Sequence, residues 1–121
     1  MLTHERAERF AEEWYAAWNA HDLDAILDHY ADDVVMTSPL VSTLTGGGDD
    51  GLAGKDALRA YFAAGLARFP DLRFEPIALF VGVDSLVLHY EGAEGSLAAE
   101  VVFLDGNDRV VRYLAHYASA A

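Results

Sequence analysis

Residues 13–39, EWYAAWNAHDLDAILDHYADDVVMTSP, decide the fold. Phe10, Trp14, Ala17 and Trp18 recur at helical spacing after Thr3, a plausible N-cap, while Glu8, Glu12 and Glu13 fall off that stripe. The turn Asn19-Ala20-His21-Asp22 closes this helix and caps a second one. Leu23, Ile26, Leu27 and Tyr30 mark one face of that second helix, which is expected to stop near Asp32-Asp33. Val34 to Ser38 then reads as a β-branched strand closed by Pro39. Two helices beside the start of a sheet should bring Trp14, Trp18, Tyr30 and Met36 to one apolar space.

Outward from this stretch, residues 40–54 contain Gly46-Gly47-Gly48-Asp49-Asp50-Gly51 and read as loop. Helical spacing returns in residues 55–69 through Leu58, Phe62, Leu66 and Phe69, and Pro70 ends it. Everything after Pro70 reads as strands: a start within 72–76, then 77–83, 85–91, 96–104 and 109–118. The separators Gly92-Ala93-Glu94-Gly95 and Asp105-Gly106-Asn107-Asp108 are hairpin-sized, so consecutive strands should pair antiparallel. Three helices followed by a long meander predict an α+β domain with helices on one sheet face. In 96–104, Ala98, Glu100, Val102 and Leu104 share one face and Leu97, Ala99, Val101 and Phe103 the other. A strand apolar on both sides expects a cover on both, and a second copy of the sheet is the economical candidate for the far side.

Composition narrows the function classes. The 121 residues are 53% hydrophobic, enough for one domain spanning residues 1–121. A net charge of −12 with only eight Lys and Arg argues against nucleic-acid or anionic-membrane partners. The chain has no cysteine, which excludes disulfides and thiolate chemistry. No apolar signal-peptide core follows MLTHERAERF, and a cytoplasmic protein is expected.

The segments WNAHDLDAILDHYADDVVMTSP, GKDALRAYFAAGL and VVFLDGNDRVVRYLAHY resemble the SnoaL-like branch of the nuclear transport factor 2-like superfamily, which includes ketosteroid isomerases and polyketide cyclases. The resemblance covers nearly the whole chain and rests on helix faces and turns more than on a catalytic motif. It implies a cone-like, curved, mostly antiparallel sheet wrapped over three N-terminal helices, a ligand pocket in the open mouth, and a homodimer through the convex sheet face. Carried over position by position, it puts Ser38 where ketosteroid isomerases hold their Asp base and Trp14 where they hold an oxyanion-hole Tyr. Glu100 stands where they hold a protonated Asp. Ser38 supplies no carboxylate and Trp cannot titrate, so ketosteroid isomerisation is not expected.

Glu100 is the one candidate catalytic group. On a pocket-facing strand its carboxyl would be desolvated and its pKa raised, fitting a neutral donor or a modest general base. The alternative is a solvated carboxylate, or one bonded structurally to Tyr113 or Tyr117. The expected pocket wall comprises Trp14, Trp18, Tyr30, Met36, Ser38, Phe62, Leu66, Leu86, Leu88, Val102, Tyr113 and Tyr117. Small Ala115 between Tyr113 and Tyr117 leaves room for a flat, largely apolar ligand carrying one or two oxygens. His89 and His116 fall out of phase with the apolar residues of their strands and should face the convex side with Arg112, while His29 could approach the pocket rim. No histidine or carboxylate spacing matches a metal site, and no cofactor is expected. The Gly46–Gly51 run lacks a phosphate-loop ending and fits no EF-hand, which leaves a lid over the mouth or an idle insertion. Two function classes remain: a binding module for a small apolar molecule, and a cofactor-free isomerase, cyclase or dehydratase working by proton transfer.

Overall fold

The computed structural model describes residues 1–45 and 50–119. Helix α1 (His4–Asn19) starts at Thr3, whose hydroxyl accepts from the Arg6 amide at 3.2 Å. Its buried stripe runs through Ala7, Phe10, Ala11, Trp14, Ala17 and Trp18. Asp22 caps α2 (Leu23–Leu27) by accepting from the Ala25 amide at 3.1 Å. Helix α2 is shorter than its spacing suggests, because Tyr30 already belongs to strand β1 (Tyr30–Thr37). The His29 carbonyl accepts from the Val110 amide at 2.8 Å, so the sheet captures the chain before a third helical turn can form. A register shift between Tyr30 and Val35 absorbs the polar Ala31-Asp32-Asp33 step.

Residues 40–54 hold more order than their composition suggests. Val41–Thr45 forms the short helix α3 and Gly51–Ala53 the edge strand β2, which pairs antiparallel with β1. Gly46–Asp49 lie outside the described residues, and with them the lid and idle-insertion readings of the glycine run. Helix α4 (Lys55–Arg68) follows, burying Leu58, Tyr61 and Phe62.

The remaining chain is β3 (Glu75–Val81), β4 (Ser85–Glu91), β5 (Leu97–Leu104) and β6 (Val110–Tyr117), with a 3₁₀ turn at Ala93–Gly95. Among the described residues the sheet has six strands in the order β2-β1-β6-β5-β4-β3. All pairs are antiparallel except β1 with β6, which brings the chain's first strand against its last. The fold is α+β, with α1 and α4 packed on one sheet face. That face carries Met36, Leu86, Leu88, Tyr90, Ala98, Glu100, Val102, Tyr113 and Ala115, all buried. A bulge between Phe103 and Leu104 puts Val110 inward instead of Val111. On the other face the register aligns His89, Ala99 and His116 in one row, and Val87, Val101 and Leu114 in the next.

The segment before β3 is tied to the end of α1 by polar contacts. Asn19 donates through Nδ2 to the Phe74 carbonyl at 3.0 Å and accepts from the Phe74 amide at 2.7 Å. His21 sits at φ 56, and its Nε2 lies 2.7 Å from the Leu72 carbonyl oxygen. These bonds press Phe74 between Trp14 (centroids 5.5 Å) and Tyr90 (4.3 Å). Replacing Asn19 by Ala removes two bonds and leaves a half-buried amide and carbonyl unpaired. Chemical denaturation should show a loss of about 2 kcal/mol, and a loss below about 0.5 kcal/mol would mean water replaces both bonds.

Candidate functional site

A cavity of about 410 Å³ opens between the inner sheet face, α4 and the segments around Pro39–Leu44 and Phe69–Phe74. Strand register sets its back wall. Glu100 on β5 lies opposite Leu88 on β4 and Ala115 on β6, while Ala98 lies opposite Tyr90 and Tyr117. Tyr90, Tyr113 and Tyr117 are therefore the diagonal neighbours of Glu100 on one face, within reach of long side chains. Ala98 and Ala115 are the small residues among them and keep the space open. The sequence places a carboxyl in a ring of phenols with two methyl-sized gaps.

Glu100 is 1% exposed. Its Oε1 accepts from the Tyr90 hydroxyl at 2.6 Å, and its Oε2 is buried with no hydrogen-bond partner among the described residues. Burial pushes its carboxyl up from 4.5 to about 7, and the hydroxyls of Tyr90 and Tyr113 pull it part of the way back. The same low-dielectric wall and the nearby carboxylate push the phenols of Tyr90, Tyr113 and Tyr117 upward, so these stay neutral donors. A second polar cluster sits where β1 ends. Ser38 Oγ accepts from the Leu40 amide at 3.2 Å and lies 3.1 Å from the Tyr61 hydroxyl.

Of the residues expected on the wall, the cavity brings together Trp18, Met36, Phe62, Tyr113 and Tyr117 with Glu100. Trp14 and Tyr30 do not line it. Both are fully buried in the core, with Trp14 Nε1 donating to the Tyr30 hydroxyl at 3.0 Å. Leu86, Leu88 and Val102 share the inner face but are covered completely, and Leu66 packs against the core from α4. Ser38 is 1% exposed and stands behind the cavity wall, bonded to two lining residues, Tyr61 and Leu40. His29 stays away from the rim, held between the Ala25 carbonyl at 3.0 Å, the Phe10 ring and Glu13. The 2.6 Å bond to Glu100 comes from Tyr90, which was not among the phenols considered as structural partners, Tyr113 and Tyr117.

Sequence reasoning missed Tyr61, Phe74, Tyr90 and Ala98, all cavity residues. Tyr90 was legible from its phase with Leu86 and Leu88, since any partner strand of that face must see it. Tyr61 stands three residues after Leu58, so the i, i+3, i+4 stripe of Leu58, Tyr61 and Phe62 was the local signal that puts it on the buried face of α4. Among the described residues, no three His, Asp or Glu side chains converge as metal ligands. No described helix is long and apolar enough to cross a membrane.

Residues 11–120 match the SnoaL-like domain family. The chain belongs to that family. A SnoaL-like protein of unknown function from Burkholderia thailandensis is 49% identical, with 98% of this chain and 100% of that one covered at a TM-score of 0.92. The candidate hydroxylase AclR from Streptomyces galilaeus is 20% identical over 96% of this chain and 91% of its own, at a TM-score of 0.76. SalBIII, an epoxide hydrolase/cyclase-like enzyme of pyran ring formation in the polyether salinomycin, is 18% identical over 98% and 95%, at 0.78. The last two share the SnoaL-like fold with this chain. No curated protein sequence matches it.

The Glu100 carboxyl makes stability depend on pH. Its folded pKa lies above the unfolded value, so the folded state holds a proton that the unfolded state has released. That contribution is full below about pH 4.3, falls as pH rises towards 7, and is lost above it. Glu100→Gln removes the ionisation, and it should stabilise the protein by roughly 1–3 kcal/mol at pH 8, with the gain fading by pH 4. Denaturant titrations at both pH values check this. A gain that does not change with pH would place the carboxylate in solvent.

Proposed function

We propose that this SnoaL-like domain binds a small, largely apolar, oxygen-bearing molecule in the cavity, with Glu100 as its hydrogen-bonding anchor. The observation that supports this most is the unpartnered Oε2 of Glu100, the one carboxyl on an inner wall of aromatic rings, phenol hydroxyls and alkyl groups. A buried polar atom without a partner costs free energy that a ligand hydroxyl would recover. Calorimetric titration with 2-naphthol and 1-tetralone should give saturable binding. Ala98→Phe, which fills the space beside Glu100, should weaken it at least about tenfold. Absence of binding by both probes, and by a wider set of steroids and aromatic acids, would point to a closed core.

A second reading makes the same site a cofactor-free acid–base catalyst, an isomerase, cyclase or dehydratase. What favours it is a carboxyl poised near 7, where it can both hold and give up a proton at neutral pH. Ketosteroid isomerisation fits poorly, because Ser38 replaces the base and Trp14 is spent on Tyr30 in the core. Under this reading Glu100→Gln abolishes turnover while leaving binding of a neutral ligand in place.

Assembly as a homodimer through the outer sheet face is proposed from its chemistry. Val35, Phe80 and Leu97 are exposed there, and the Arg112 guanidinium lies 5.7 Å from the centre of the Phe103 ring. A cytoplasmic location rests on the acidic, cysteine-free composition. Phe103→Glu should convert a dimer to monomer in sedimentation by stranding a charge in the contact. A monomeric wild type at micromolar concentration would refute the dimer.

A further inference from the structure

Glu100 is one polar point on the cavity, and the Ser38–Tyr61 cluster supplies another of opposite hydrogen-bonding character. Ser38 Oγ is occupied on one acceptor side by the Leu40 amide and contacts the Tyr61 hydroxyl at 3.1 Å. Two hydroxyl groups carry two protons, and the bond between them uses one. If Ser38 donates to Tyr61, the Tyr61 proton is left over, and Tyr61 lines the cavity. If Tyr61 donates to Ser38, the Ser38 proton must go elsewhere, and Ser38 is 1% exposed with no opening to solvent. Among the described residues no hydrogen bond carries that proton away from Ser38, so this second arrangement leaves a buried donor unpaired and the first does not. The Tyr61 O–H is therefore the one without a partner in the cluster, and its ring lines the cavity. Tyr117 lines the cavity as well.

We infer that Tyr61, its proton left free by Ser38, forms with Tyr117 on the same cavity wall a donor subsite for a carbonyl or ether oxygen of the ligand, distinct from the Glu100 anchor. This rests on the cavity being a binding site and narrows the ligand class to apolar molecules with two oxygens. A hydroxyl on one side donates to Glu100, and an acceptor oxygen on the other receives the tyrosine proton. The register supports simultaneous use: Tyr117 is a diagonal neighbour of Glu100 across β5 and β6, so both groups face one small ligand. Ala98, opposite both Tyr117 and Tyr90, leaves the intervening volume free.

Three probes separate the two subsites by calorimetry: 2-naphthol (hydroxyl only), 1-tetralone (carbonyl only) and 6-hydroxy-1-tetralone (both). The double variant Tyr61→Phe/Tyr117→Phe keeps the rings and removes both protons. It should weaken 1-tetralone and 6-hydroxy-1-tetralone by about tenfold each, the worth of one buried hydrogen bond. Binding of 2-naphthol should change less than about twofold. Equal losses for all three probes, or no loss for the ketones, would overturn the donor subsite while leaving the binding site standing. Failure of every probe to bind wild-type protein would instead overturn the binding reading, and this inference with it. Should the double variant not fold, infrared spectra of 1-tetralone at pH 9 on wild-type protein and on a single variant decide the matter. Glu100 is then ionised and donates nothing, and a carbonyl stretch lower on the wild type than on the single variant Tyr61→Phe supports the subsite, whereas equal stretches refute it.

Discussion

The structure of the site depends on one constraint: a carboxyl group placed on the inner face of a sheet, where water does not reach. Glu100 is held there because its strand alternates, and the alternation that buries Ala98 and Val102 buries it too. Leaving it ionised in that position is expensive, so the surroundings adapt. Tyr90 donates a bond at 2.6 Å, and the pKa rises to about 7 so that the proton is retained over much of the physiological range. The phenols around it stay neutral for the same reason. A polar arrangement of this kind in an apolar wall costs stability. Its presence in a core otherwise made of rings and aliphatic groups is what supports the proposal that the cavity binds a ligand.

The rest of the fold holds that wall in place. The parallel pairing of β1 with β6 puts Met36 beside Tyr113, while β5 sets Glu100 against Ala115. Asn19 and His21 fasten the segment before β3, so Phe74 packs on Tyr90 and fixes the ring that donates to Glu100. Trp14 and Tyr30 bond each other behind the wall, which satisfies two polar groups that would otherwise be buried and unpaired.

Much of this was legible in the sequence, and the misses have physical causes. The Phe10-Trp14-Trp18 stripe, the Asp22 cap and the turn-separated strands announce helices before a meander, because each is a local pattern. Tyr30 was misplaced because its spacing continues a helical face, whereas the Val110 amide draws the chain into the sheet from eighty residues away. Helix α3 and strand β2 hide in a glycine-rich segment where β2 takes its order from pairing with β1 and packing under α4. Glu100 was found because a lone carboxylate in an apolar strand is conspicuous. Its partner Tyr90 was legible as a residue of the inner face, but the pairing itself is decided by register, which single-strand periodicity does not carry. Which wall residues touch the cavity and which lie behind it depends on depth, and a periodic pattern reports only the side.

The central claim is that Glu100 is a desolvated carboxyl poised to share its proton with a ligand. A ¹³C NMR titration of glutamate side-chain carboxyls, with Glu100 assigned by its absence in Glu100→Gln, tests it directly. This account predicts one carboxyl titrating near pH 7 in the free protein, shifted when 2-naphthol is bound. A Glu100 resonance that titrates near the reference value of about 4.3 and ignores the ligand would contradict it.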